Sequence, residues 1–138
     1  MNDNGFNINI WTDKETGFTH GGNKDNCGTW MDKMGSVAHL NKGVPATPRD
    51  GAPIELVGLQ YSVISFLHTV GEKGLYPHTG VAQTSFEDWA ARIKDNFEPR
   101  FYISSDQIKD NQFVDKKLVN RRGIYKDTYL SSNGFTDY

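Results

Sequence analysis

Cysteine, net charge and long apolar runs are the three things this 138-residue chain has little of. One cysteine, Cys27, cannot close an intrachain disulfide, so the expected compartment is a reducing one, the cytoplasm. A formal charge of −2, from 15 basic and 17 acidic side chains, leaves no basic face suited to nucleic acid. No apolar stretch reaches the length of a membrane span, and Met-Asn-Asp-Asn-Gly at the N-terminus lacks the basic and apolar regions of a signal peptide. No nucleic acid, no membrane and no cofactor are therefore expected as partners.

What the chain does have is unevenly placed. Nine of its 14 glycines lie within the first 58 residues, where helical periodicity is scarce. Four of them fall in residues 20–35, His-Gly-Gly-Asn-Lys-Asp-Asn-Cys-Gly-Thr-Trp-Met-Asp-Lys-Met-Gly. Glycines let a backbone turn and approach closely, and functional groups concentrate on loops held by a rigid scaffold. This run is the candidate site loop, with Asp32 between Trp30-Met31 and Lys33 as its candidate reactive group.

Before it, residues 6–10 alternate apolar and polar as a half-buried strand does. Residues 13–17 read as a turn and residues 18–20 as the returning strand, a small β-hairpin that delivers His20 to the loop. Residues 31–40 have the pattern of a short helix broken by Gly35. Residues 43–53 carry Pro45, Pro48 and Pro53, each of which fixes φ and disfavours helix in the residue before it, so this stretch is a stiff extended connector.

From Ile54 to Val70 the apolar residues cover most of a helical surface, and only Gly58, Ser62, Ser65 and Thr69 form a narrow stripe of small side chains. A helix apolar on nearly every side is expected to be buried within a larger protein. Trp11 reads as an ordinary core aromatic. Ser85 followed by Asp88 signals a helix start, with Phe86, Trp89, Ala90, Ile93 and Phe97 on one face and an end or kink near Pro99. Residues 101–103 read as briefly extended, and residues 104–120 as polar loop. Two helices and a hairpin make a thin core, because stable domains stack layers around shared apolar surface; the chain is expected to be incomplete on its own.

Asp32 has two readings. Beside a helix start it would complement the macrodipole. Against an indole it would be partly desolvated, with its pKa raised until it can donate a proton near neutral pH, as a glycosidase general acid must. Trp30 is either a core ring or a platform for the apolar face of a sugar. Arg49 either pairs with Asp50 or donates paired hydrogen bonds to a ligand. Glu55 either complements the free N–H groups of the helix it opens or recognises a sugar there. Cys27 lacks a nucleophile's signature and reads as a packed thiol, and His20, Cys27 and His39 do not have zinc-ligand spacing, so no metal is expected.

Taken together, residues 7–13, His20-Gly21-Gly22-Asn23, Cys27-Gly28-Thr29-Trp30-Met31-Asp32-Lys33-Met34-Gly35, residues 43–51 with Glu55, and Gly123-Ile124-Tyr125-Lys126-Asp127 resemble the amylo-α-1,6-glucosidase domain of eukaryotic glycogen debranching enzymes. The resemblance runs along nearly all of residues 1–138 in order. Lys24-Asp25 and Pro99 depart from the family pattern. The resemblance implies a mainly α fold, part of an α/α toroid (a six-hairpin barrel). It implies hydrolysis, with inversion, of the glucose left on an α-1,6 branch of glycogen or a branched α-glucan. Asp32 carries over as the general acid, and Asn23, Trp30, Arg49 and Glu55 as walls of the glucose pocket. The partner carboxylate of an inverting enzyme, which lies roughly 6.5–9.5 Å from the acid, is expected from the remainder of the debranching enzyme chain. The rival of a different class is a non-catalytic glycan-binding or scaffold module built on the same loop.

Overall fold

The computed structural model describes residues 10–22, 35–40, 42–43 and 50–131. Strands β1 (Trp11–Thr12) and β2 (Thr19–His20) form an antiparallel hairpin, followed by β3 (Ala52–Pro53) and helix α1 (Ile54–Glu72). Strands β4 (Gly80–Val81) and β5 (Thr84–Ser85) lead into helix α2 (Phe86–Phe101). Strand β6 (Tyr102–Ile103), a 3-10 turn at Gln107–Lys109, and strands β7 (Ile124–Tyr125) and β8 (Thr128–Tyr129) complete the described order. Every ladder is two-stranded and antiparallel: β1 with β2, β3 with β8, β4 with β5, β6 with β7. The two helices hold most of the regular structure, so the chain is mainly helical with small β ladders. No helix among the described residues is long and apolar enough to cross a membrane.

Helix α1 starts without a side-chain cap. Its Ile54 N–H is satisfied instead by the Asp127 carbonyl at 3.0 Å, which ties the helix to the β8 end of the chain. It stops in a Schellman motif: Gly74, at φ +68°, donates to the Gly71 carbonyl and Leu75 to that of Val70. Helix α2 is capped as the sequence predicts. Ser85 Oγ accepts from Asp88 N–H at 3.0 Å and donates to the Asp88 carboxylate at 2.7 Å. The helices pack antiparallel, since Val57 and Ile93 share one cluster while Tyr76, beyond the end of α1, meets Phe86 at the start of α2.

The core is small. Phe18, Ala52, Val57, Ile93, Phe101 and Tyr129 form its buried cluster, with Ile54, Trp89, Phe97 and Phe113 packed against it. Phe18 is the hairpin's contribution, and its ring meets Phe101 at 5.5 Å and Tyr129 edge-on at 6.0 Å. At about 1.5–3 kcal/mol for each large apolar side chain buried, one ring from the hairpin is a sizeable share of so small a core. Polar groups complete the seating. Gln60 of α1 accepts from Thr19 N–H and donates to the Gly17 carbonyl, which also accepts from the Trp89 indole N–H at 2.8 Å. Arg100 pairs with Glu15 at 2.8 Å. The hairpin is thus held in the notch between both helices.

Four expectations need correction. Among the described residues the first strand begins at Trp11 and Ile10 lies outside its ladder; residues 6–9 lie outside the described residues. Residues 35–40 are not helical but a turn closed by a Gly35–Lys42 bridge, because Gly43 N–H and Lys42 N–H take the Gly35 and Val37 carbonyls; residues 31–34 lie outside the described residues. Helix α2 ends at Phe101, two residues past Pro99, so its end lies near the proline as expected, but Phe101, read as extended, is its last helical residue. Proline in the last turn removes only one intrahelical donor, and the Pro99 carbonyl is taken by Asn111 Nδ2 at 2.7 Å. Within this chain, Val57 and Ile64 of helix α1 are buried, while Leu59, Val63 and Phe66 are 55–63% exposed. On the small-residue stripe, Ser62 and Thr69 turn their hydroxyls back onto the Gly58 and Ser65 carbonyls of the same helix. Finally, Trp11 is no core ring, being 48% exposed.

Candidate functional site

The candidate site grows from the end of the hairpin. Asp13 shapes its turn by accepting from Glu15 N–H and Thr16 Oγ1, and Gly17 at φ +76° reverses the chain. Strand β2 then ends at His20, directly opposite Trp11 in the ladder. The imidazole and indole rings stack nearly parallel, 4.4 Å between centroids and 8° between planes. Trp11 stays half-exposed, whereas His20 is 3% exposed and also approaches the Tyr129 ring at 6.2 Å. Burial lowers the His20 pKa below its ordinary value of 6.5, outweighing the pull of the Asp13 carboxylate, so the imidazole is neutral at neutral pH. Its Nε2 has no hydrogen-bond partner among the described residues.

One residue later the chain meets the second half of the site. Gly21 N–H donates to the Gly51 carbonyl at 3.0 Å, an antiparallel bridge between two segments thirty positions apart. Only glycine can stand at 51. Its φ is +84°, and a Cβ there would lie 2.5 Å from the Tyr129 carbonyl oxygen and 2.8 Å from that of Leu130. Asp50, also buried, accepts from Ser131 Oγ at 2.6 Å. The chain then passes through β3 into α1, whose second residue is Glu55.

This bridge joins the roots of both loops that carry the candidate residues. Asn23 follows Gly22 directly in sequence, and Arg49 directly precedes Asp50. Asn23, Trp30, Asp32 and Arg49 themselves lie outside the described residues, as does Cys27. Glu55 lies within them, half-buried in the first turn of α1, where a carboxylate complements the helix N-terminus. His39 is exposed on the 38–40 turn, away from any stack. A cleft of about 220 Å³, bounded by Trp11, His20, Gly22, Asp50 and Leu130, opens at the joint.

The sequence analysis passed over Trp11, Asp50 and Gln60 as site-building residues. Their importance comes from partners across a ladder or on a separate helix, at separations of nine, 81 and 41 to 43 positions. The one signal that pointed to Asp50 and Gly51 was their place at the end of the proline-rich connector.

A family model for amylo-alpha-1,6-glucosidase matches residues 2–138. The glycogen debranching enzyme of Saccharomyces cerevisiae is 44% identical over 146 aligned residues, which take in 100% of this chain and 10% of that protein. The chain therefore spans about a tenth of the length of that curated relative. Matched from end to end by a single family model, this chain belongs to the amylo-alpha-1,6-glucosidase family.

Proposed function

We propose that this chain is the acid-bearing sector of a glucosidase domain that hydrolyses the α-1,6-linked glucose of glycogen or a branched α-glucan with inversion. Asp32 is its general acid. The proton of Asp32 passes to the glycosidic oxygen as the C1–O bond breaks, while water adds to C1 from the opposite face and gives its proton to a base. That base comes from the remainder of the debranching chain. Trp30, Asn23, Arg49 and Glu55 form the walls that hold the glucosyl ring.

The observation that carries this reading is the Gly21–Gly51 bridge. It fixes the root of the Asp32 loop against the root of the Arg49 connector, one turn of chain before Glu55 opens α1. The described residues that adjoin the stretches bearing the candidate residues are thereby held at one point, which supports a preorganised site. Membership of the family supplies the chemistry.

The exposed face of α1 supports the second part of the reading. Leu59, Val63 and Phe66 stand in solvent on a 19-residue helix, and an apolar patch on that scale marks a surface meant to be covered. In an α/α toroid, neighbouring helical pairs from the rest of the chain would cover it, and the antiparallel α1–α2 pair would be one of six.

A chimera tests the proposal. This chain replaces the matching segment of the yeast relative, and glucose release from a phosphorylase limit dextrin is followed, with the anomeric proton read by NMR. The expected result is release of the β-anomer by the chimera and no release by the isolated 138-residue chain. Release of the α-anomer first, or full turnover by the isolated chain, overturns the reading.

A further inference from the structure

The exposed indole of Trp11 is the feature that the proposed site leaves unused. Its inner face is covered by His20, at 4.4 Å and 8°, and the residue nonetheless keeps 48% of its surface open. A tryptophan on a two-residue strand gains little by standing in water, since full burial of an aromatic ring stabilises by about 1.5–3 kcal/mol. The ring is also held stiffly. It sits in register opposite His20, which is wedged at 3% exposure beside Tyr129 and the Phe18 cluster. Rigid aromatic area presented at low entropic cost is what a binding platform needs.

The location is specific as well. Trp11 lines the 220 Å³ cleft together with His20, Gly22, Asp50 and Leu130. The cleft suits one sugar ring better than a long chain, and its lining mixes the apolar Trp11 and Leu130 with the polar His20 and Asp50. Beneath the indole, His20 Nε2 is buried without a partner among the described residues. A buried nitrogen left unpaired costs stability, and such costs persist where they serve a site.

We infer that Trp11, braced from behind by His20, is the aromatic platform of a glucosyl-binding subsite at the root of the Asp32 loop. The ligand class is an α-glucan ring presenting its apolar C–H face to the indole. This subsite rests on the glucosidase reading and extends it: Trp11 holds a substrate ring, and His20 is a positioning residue that sets the angle of the indole.

Steady-state kinetics of the chimeric enzyme on limit dextrin test it, with thermal unfolding measured alongside. Trp11→Ala is expected to raise KM about tenfold with kcat within about twofold, the signature of lost uniform binding. Trp11→Phe keeps a ring on the stack and is expected to recover most of that loss. His20→Ala, which removes the brace, is expected to raise KM in the Trp11 background but to add nothing to Trp11→Ala. A KM for Trp11→Ala within about twofold of the parent, or an equal loss in Trp11→Phe, overturns the inference. Asp32→Asn separates the two claims: if it abolishes turnover while Trp11→Ala leaves KM unchanged, the subsite fails and the glucosidase reading stands. If Asp32→Asn has no effect, the underlying reading fails first.

Discussion

Replacing Gly51 with alanine should damage this fold more than replacing Gly17, Gly43, Gly74 or Gly123, which share its positive φ. At φ +84° an L-residue costs about 1–2 kcal/mol relative to glycine. The added Cβ would also stand 2.5 Å from the Tyr129 carbonyl oxygen and 2.8 Å from the Leu130 oxygen. Both are backbone atoms in or next to the β3–β8 ladder, so no side chain can swing aside to make room. The strand must shift, and the Gly21 N–H to Gly51 carbonyl bond goes with it, a further loss of about 1 kcal/mol. Together the loss comes to about 2–4 kcal/mol. Gly74 is the control: its φ is +68°, but nothing lies within 4 Å of its would-be Cβ. Gly74→Ala should therefore cost only the backbone share, about 1 kcal/mol. Urea unfolding of the chain followed by far-ultraviolet circular dichroism reads the difference, and Gly51→Ala should lower the midpoint at least twice as far as Gly74→Ala. Equal midpoints for the two variants would refute the close approach at Gly51, and with it the pinned joint of the two loops.

The pH dependence of stability should carry the mark of His20. Its pKa is lower folded than unfolded, so the unfolded chain binds the proton first as pH falls. The stability due to the neutral imidazole is complete above the unfolded value of 6.5, declines below it, and levels off under the lowered folded value. His20→Asn should flatten that slope, as urea midpoints between pH 8 and pH 5 would record; an unchanged slope contradicts the burial of the ring. The open face of α1 makes a separate prediction. The isolated chain should self-associate with rising concentration in sedimentation experiments, and Val63→Glu with Phe66→Glu should suppress this while leaving the urea midpoint within about 0.5 kcal/mol of the parent. If the proposed toroid covers this face, the same pair should reduce the folded yield of the chimera; normal yield would argue against a toroid.

Helix α2 was legible in the sequence because its signals are local: Ser85 and Asp88 lie three residues apart, and the apolar face repeats within the helix itself. Helix α1 was legible in its extent; cover for its apolar surface was expected from a larger protein, and this chain supplies it at Val57 and Ile64. Periodicity shows that a helix is apolar all round, not whether this segment of chain supplies the cover. Pro99 placed the end of α2 to within two residues, and the helix continues to Phe101 because the proline removes a single intrahelical donor. The turn at residues 35–40 has enough apolar residues to imitate a helix, yet its backbone groups are satisfied by the Gly35–Lys42 bridge. Trp11 shows the limit most clearly. A tryptophan in an alternating run looks like core, and only the ladder register reveals that its inner neighbour, His20, takes the buried place. Of the candidate site, Glu55 is described in the structure, and the described residues next to both candidate stretches meet at one bridge; the proposed acid role of Asp32 rests on the family resemblance beside its glycine-rich, indole-bearing setting.

The general-acid role of Asp32 is the centre of this account, and one comparison of substrates isolates it. Fluoride leaves a sugar without being protonated, whereas a glycosidic oxygen does not leave readily without a proton. In the chimera, Asp32→Asn should lower kcat on the α-1,6 branch by about 10³-fold while sparing α-glucosyl fluoride to within about tenfold. Equal losses on both substrates, or no loss on the branch, would contradict the assignment of the acid to Asp32.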